Sequence, residues 1–215
     1  EGGSSHLATV GAAVAGACDE LRRKLWSMAR TLRDSPFRGS CRSSEVAFAD
    51  GQVRWRQADG SAAPATQSAI AIGELMARCG GRPLQVRFES RPDEKQKDRF
   101  TSATHSAVFC EVRVDEDFGT VRVARVVSAV AAGRIVNAKA ARSQVIGGVV
   151  WGISQALHEE TLTDHRLGRF MNHNLAEYHV AVNADVHDID VLFVQEDDRV
   201  VSRMGSKGVG EVGIL

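Results

Sequence analysis

An excess of charge of either sign is missing from this chain: across 215 residues, 27 lysines and arginines balance 27 aspartates and glutamates, for a formal net charge of zero. That balance leaves no basic footprint for nucleic acid and no polybasic stretch for a membrane surface. No apolar run reaches the ~18–20 residues that a spanning helix requires. The start, EGGSSHLATVG, lacks the charged-then-apolar order of a secretory signal. The reading is a soluble chain without a targeting signal. Cysteine pairs at ligand spacing are also missing. Cys18, Cys41, Cys79 and Cys110 form no CxxC and no zinc or iron–sulfur pattern, which leaves buried or incidental thiols. There is no G-x-S-x-G elbow, no Walker loop and no GxGxxG between a strand and a helix. His173, His179 and His187 make no i, i+4 pair and read as a scattered surface set. Asp185, Asp188 and Asp190 lack the glycine and terminal glutamate of a calcium loop and read as turn and strand-edge residues.

What is present is a mixture of helical and alternating patterns. Leu7, Val10, Val14, Ala17, Cys18, Leu21 and Leu25 recur at helical spacing and predict an amphipathic helix from Leu7 to Met28. Glu45 to Trp55 predicts a hairpin turning at Asp50-Gly51, and Gln67 to Cys79 a helix stopped by Gly80-Gly81. The charged stretch from Glu89 to Arg99 reads as a loop or linker. From His105 the period changes to two. Val108, Cys110, Val112 and Val114 alternate with Phe109, Glu111 and Arg113, and a turn at Asp115 to Thr120 leads to a second strand through Val121, Val123 and Val126. Lys139 to Glu160 predicts another long helix, and Leu175–Val182 and Ile189–Gln195 two further extended segments. Without regular βαβ units the class is α+β, mixed helices with a largely antiparallel sheet. The expected division is 1–101, carrying loop, helix, hairpin and helix, and 102–215.

Three features invite a chemical reading, each with a plain structural alternative. The segment GSKGVGEVG, Gly205 to Gly213, packs four glycines around one lysine and one glutamate. It is either a tight turn or a place where the backbone approaches a ligand closely and delivers a carboxylate. Ser4 and Ser5 can cap the first helix or sit where its N-terminus favours an anion. Gly148, Gly152 and Ala156 form a small-residue stripe suited to close helix packing.

The strings AAGRIVNAKAARSQVIGGVVWGISQALHEE, GRFMNHNLAEYHV and MGSKGVGEVGI, in that order, resemble the C-terminal part of the large subunit of the molybdenum hydroxylases, the xanthine dehydrogenase and aldehyde oxidase family. More narrowly, AAGRIVNAKAARSQ with MGSKGVGE resembles the molybdenum-binding subunit of periplasmic-type bacterial aldehyde oxidoreductases. The resemblance is strong over Ser102 to Leu215 and stays in register over Gly2 to Leu25. It implies a molybdopterin-binding fold fragment and a pterin dithiolene that holds molybdenum without protein ligands. It also implies the cytosine dinucleotide extension that the pterin commonly carries in bacterial members. The reaction implied is oxidation of an aldehyde to a carboxylic acid with water-derived oxygen.

By motif position Glu211 is the general base. Gln144 lies at the start of the pterin-binding helix, Ser206, Lys207, Gly208 and Gly210 pass over the cofactor, and Ser4 and Ser5 lie near its pyrophosphate, to which Lys207 could offer a point charge. Keeping Glu211 from water beside Val209 and Val212 would make its carboxylate a better base. Since the chain has no iron–sulfur cysteines and no flavin fingerprint, the resemblance implies an iron–sulfur subunit and an FAD subunit as electron-accepting partners in a heterotrimer. The compartment would be periplasmic if the chain is exported with a signal-bearing partner, and cytoplasmic otherwise. The chain begins at Glu1 and stops just after the glycine loop, so it is expected to be a fragment of a longer polypeptide. The competing expectation is a truncated, non-catalytic binding or assembly module that keeps the fold without the cofactor.

Overall fold

The computed structural model describes residues 2–39, 42–64, 68–91, 95 and 98–214. Two compact units emerge: residues 1–12 with 91–215, and residues 13–90. The first twelve residues thus pack with the C-terminal unit, which the expected division at 101/102 separates them from.

In the 13–90 unit, helix α1 (Ala12–Thr31) runs three residues past the predicted end. Its opening differs from the expectation, because Leu7–Gly11 winds as a π-helical turn and its N-cap, His6, makes no side-chain capping bond. Leu25 and Ala29 are buried, whereas Val10 and Val14, placed by periodicity on the same stripe, are exposed. The hairpin forms as read: β1 (Val46–Ala49) pairs antiparallel with β2 (Gln52–Trp55) across Asp50-Gly51, where both residues have positive φ. Ile70–Ala71, assigned by pattern to a helix, instead form β3 against β2. This shortens the following helix to α2 (Ile72–Arg78), and Gln67 lies outside the described residues. Gly80 and Gly81 end α2 with φ of +95° and +66°, and the Gly81 N–H donates to the Met76 carbonyl at 2.8 Å. Leu25, Phe37, Val46, Val53, Ile70 and Leu75 close one core.

In the C-terminal unit, β4 (His105–Asp115) and β5 (Thr120–Ala131) form a long antiparallel pair with a register shift between Glu111 and Val112. Helix α3 (Ala138–Leu157) follows, capped by the Asn137 side chain, which accepts from the Ala140 N–H at 3.0 Å. After α3 come the two-residue strands β6 (Thr163–Asp164) and β7 (Arg169–Phe170), a small hairpin the sequence pattern did not suggest. Leu175–Val182 is not a strand. Asn174 Oδ1 accepts from the Ala176 N–H, and its carbonyl accepts from Tyr178, so the chain turns there. Strand β8 (Asp188–Phe193) lies parallel to β5, giving a three-stranded sheet in the order β4-β5-β8. The class is α+β with mostly antiparallel pairing, as expected.

Central β5 carries Val123, Val126 and Val130 into contact with Val145, Val149 and Ile153 of α3. Burial of each such side chain stabilises by about 1.5–3 kcal/mol. The thiols of Cys18, Cys79 and Cys110 are free and exposed, the incidental alternative of the two expected; Cys41 lies outside the described residues. No helix among the described residues is long and apolar enough to cross a membrane.

The small-residue stripe of α3 faces the end of the chain. A Cβ on Gly148 would stand 3.2 Å from the Gly213 backbone, and one on Gly152 3.0 Å from the Ile214 carbonyl oxygen. Substituting Gly148→Leu should therefore push the glycine loop off the helix and cost about 1–3 kcal/mol. Denaturant unfolding checks this, and a midpoint equal to the parent's would mean that the contact carries no energy.

Candidate functional site

Helix α3 and the glycine loop line an open-mouthed cavity of about 540 Å³ within the C-terminal unit. Ala132 to Asn137 and the first two turns of α3 form one wall, ending at Gln144. Ser206, Lys207 and Val209 form the other, and Ser4, His6 and Leu7 complete it.

Backbone contacts hold these walls together. Gly133 and Ser206 form an isolated antiparallel bridge. The Arg134 N–H donates to the Gly205 carbonyl at 2.6 Å, and the Lys207 N–H to Ala132 at 3.0 Å. A Cβ on Gly133, whose φ is +68°, would collide with the Gly205 carbonyl oxygen, so the bridge requires glycine there. From the outer side, Thr104 Oγ1 donates to the Gly208 carbonyl at 2.7 Å and Ser106 Oγ to that of Val212 at 3.0 Å.

Gly208 and Gly210 also serve close approach, and the neighbour seen is the N-terminal segment of the chain itself. A Cβ on Gly208 would fall 2.7 Å from the Gly3 oxygen, and one on Gly210 2.9 Å from the Ser4 nitrogen. The Gly210 N–H donates to Gly3 at 3.0 Å. This contact sets Ser4, in the left-handed region at φ +51°, so that its Oγ donates to Gln144 Oε1 at 2.5 Å. Ser5 Oγ donates instead to the Gly2 carbonyl, away from the cavity lining.

Ser206 is 2% exposed, and its Oγ has no hydrogen-bond partner although its N–H and carbonyl both engage Ser202 Oγ. A buried hydroxyl left unpaired costs about 1–3 kcal/mol.

Lys207 does not present a free cation. Its Nζ lies 2.7 Å from Glu196 Oε1 and 3.1 Å from Asp198 Oδ2, with the lysine side chain only 6% exposed. The hydrogen bond from Lys207 holds the Glu196 carboxyl below the ordinary carboxylate range, against partial burial and with help from the Gly133 N–H. Burial works against the charged form of Asp198, but the bonds from Lys207 and from the Val201 and Val200 amides outweigh it, and its pKa is lowered too. Burial likewise opposes the Lys207 ammonium, and its two carboxylate partners overcome that and raise its pKa. The stability contributed by the carboxylates is therefore lost only as pH falls through their lowered values, and that of the lysine only as pH rises through its raised value. The network is intact through the neutral range.

Glu211 is exposed at the far end of the loop, outside the cavity lining, with φ +69°. The burial expected from Val209 and Val212 is not supplied by the described residues. Structure thus gathers Ser4, Gln144, Ser206 and Lys207 around one cavity, with Gly208 and Gly210 behind it. Sequence reasoning passed over Glu196 and Asp198. Their only signal was an acidic run, Glu196-Asp197-Asp198, eleven residues before the lysine it pairs with. Among the described residues no group of three His, Cys, Asp or Glu side chains could hold a metal ion.

A family model for the molybdopterin cofactor-binding domain matches residues 1–187, a span that ends before the glycine loop. The aldehyde oxidoreductase molybdenum-binding subunit PaoC of Escherichia coli O157:H7 is 42% identical over 173 residues, covering 80% of this chain and 22% of that protein. The chain thus spans about a fifth of the length of this relative and of its counterpart in Escherichia coli K12. CO dehydrogenase from Oligotropha carboxidovorans superposes on 98% of this chain and 24% of its own with a TM-score of 0.73 at 17% identity. Quinoline 2-oxidoreductase from Pseudomonas putida 86 does so over 98% and 25% with a TM-score of 0.71 at 19% identity. At those identities the likeness establishes the fold. With the family match running through residue 187 and the fold shared almost end to end, the chain belongs to the molybdopterin cofactor-binding domain family.

Proposed function

We propose that this chain forms the C-terminal cofactor-binding part of an enzyme that oxidises aldehydes to carboxylic acids with water-derived oxygen. The observation that carries the reading is the convergence of Ser4, Gln144 and Ser206, from three separate segments, on the lining of one cavity. Those groups fit a large polar ligand of the molybdopterin type, in its cytosine dinucleotide form. Gln144, Ser4 and Ser206 would hold it by hydrogen bonds, while Gly208 and Gly210 keep the loop low enough to lie beside it. Ser5 supports the helix entry behind Ser4. When bound, the cofactor supplies the two-electron chemistry.

Glu211 takes the proton released as the water-derived oxygen joins the aldehyde carbon. A carboxylate in that role works best away from bulk water, and we place its cover in the remainder of a longer large subunit. The electrons pass to an iron–sulfur subunit and an FAD subunit of a heterotrimer, with neither nucleic acid nor membrane as a partner. Export to the periplasm would depend on a signal carried by a partner.

Replacing Glu211→Gln keeps size and hydrogen bonding but removes the base. In the full-length heterotrimer, molybdenum content should match the parent while aldehyde turnover per bound molybdenum falls about 10²- to 10⁴-fold. Parental turnover per molybdenum would show that another group takes the proton. Glu211→Gly separates chemistry from strain. A non-glycine residue in the left-handed region carries strain on the order of 1 kcal/mol, so the thermal midpoint should hold or rise while turnover is lost. A midpoint several degrees lower would mean that the glutamate side chain holds the loop.

A further inference from the structure

We propose that Lys207 is a positioning residue, locked with Glu196 and Asp198 into a clamp that fixes the glycine loop against the turn before α3, and that it does not bind the cofactor's phosphates. The proposal rests on the reading of the cavity given above for the identity of its ligand.

Each carboxylate of the clamp is used on both oxygens. Glu196 Oε1 takes the ammonium at 2.7 Å, while Oε2 accepts the Gly133 N–H at 2.7 Å. Asp198 Oδ2 takes the ammonium at 3.1 Å, while Oδ1 accepts the Val200 and Val201 amides, both at 3.1 Å. Lys207 Nζ is thereby referenced to two backbone segments at once. Gly133 is the residue bridged to Ser206, and the two walls cross there through the Arg134 and Lys207 amides. Losing the clamp would leave the crossing of the two walls at Gly133 and Ser206 without a side-chain tie, held there by those backbone bonds.

Charge points the same way. Two carboxylates and one ammonium leave the cluster with one net negative charge, so its field does not recruit an anion. Two of the three N–H donors of the Lys207 ammonium are engaged by these carboxylates, so a phosphate reached through the third would stand beside two negative charges that are only 29% and 22% exposed.

The full-length protein, prepared with and without cofactor, tests this through Glu196→Ala, Lys207→Met and the double variant. In cofactor-free protein, hydrogen exchange at the Arg134 and Lys207 amides should speed up about tenfold or more in each single variant. The double variant should be no faster than either single, because the residues act as one unit. Additive acceleration would overturn the clamp, and this arm does not depend on what the cavity binds. In the loaded preparation, molybdenum per protein should fall in Glu196→Ala as far as in Lys207→Met. Glu196→Gln is the milder variant, since it retains an acceptor for the Gly133 N–H and leaves the ammonium in place. Its molybdenum content should also drop below the parent's. If Glu196→Gln keeps or raises the molybdenum content while Lys207→Met loses it, the lysine is a phosphate ligand and the proposal is wrong.

Discussion

A side chain at Gly133, Gly208, Gly210 or Gly213 would occupy space already filled by another stretch of backbone. The site depends on that constraint. Gly213 presses on α3, where a Cβ would stand 2.6 Å from the Val145 carbonyl oxygen and 2.8 Å from the Val149 nitrogen. Gly208 and Gly210 press on Gly3 and Ser4, and Gly133 presses on Gly205. Three segments far apart in sequence are thus brought within hydrogen-bonding range of one another, with no side-chain layer between them.

Chemistry follows from the spacing this produces. Asn137 starts α3 by capping it, so Gln144 arrives two turns later on the face that meets Ser4. Ser202 takes both backbone groups of Ser206 and leaves the Ser206 hydroxyl alone in the cavity wall. Beneath the loop, the Glu196–Lys207–Asp198 cluster adds charge pairing to the backbone bonds at the Gly133–Ser206 bridge. Of the non-glycine residues at positive φ among those described, Asp50 and Ser68 lie in the 13–90 unit, and Ser4 and Glu211 stand at the two ends of this arrangement. Both are residues to which the functional reading assigns work, in line with the tendency of strained backbone to gather at active sites.

How far these features could be read in advance depended on whether their causes are local. The Asp50-Gly51 turn, the Gly80-Gly81 stop and the long period of α3 are written in neighbouring residues, and they formed where the pattern placed them. Leu175–Val182 failed because the side chains of Asn174, Ser154 and Asp185 take the backbone amides of Ala176, Ala181 and Val182, outweighing an extended-looking composition. Ile70–Ala71 joined a sheet because β2 offered an open edge, which no local propensity encodes. At the site, the motif resemblance singled out Gln144, Ser206 and Lys207, and the structure sets all three around one cavity. It could not foresee that the lysine would be taken by Glu196 and Asp198, since pairing across a loop leaves no period in the sequence. Nor could it foresee the exposure of Glu211, because burial is set by what packs over a residue and not by its two valine neighbours.

The central claim is that a molybdopterin cofactor lies in the cavity between the Gln144 wall and the Ser206 wall. The structure of the molybdenum-loaded, full-length protein tests it most directly. The account predicts cofactor polar atoms within hydrogen-bond distance of Ser206 Oγ and Gln144, with Lys207 Nζ still on Glu196 and Asp198 and the Glu211 carboxylate facing the metal. A cofactor bound elsewhere, with the Ser206 hydroxyl still unpartnered, would contradict it.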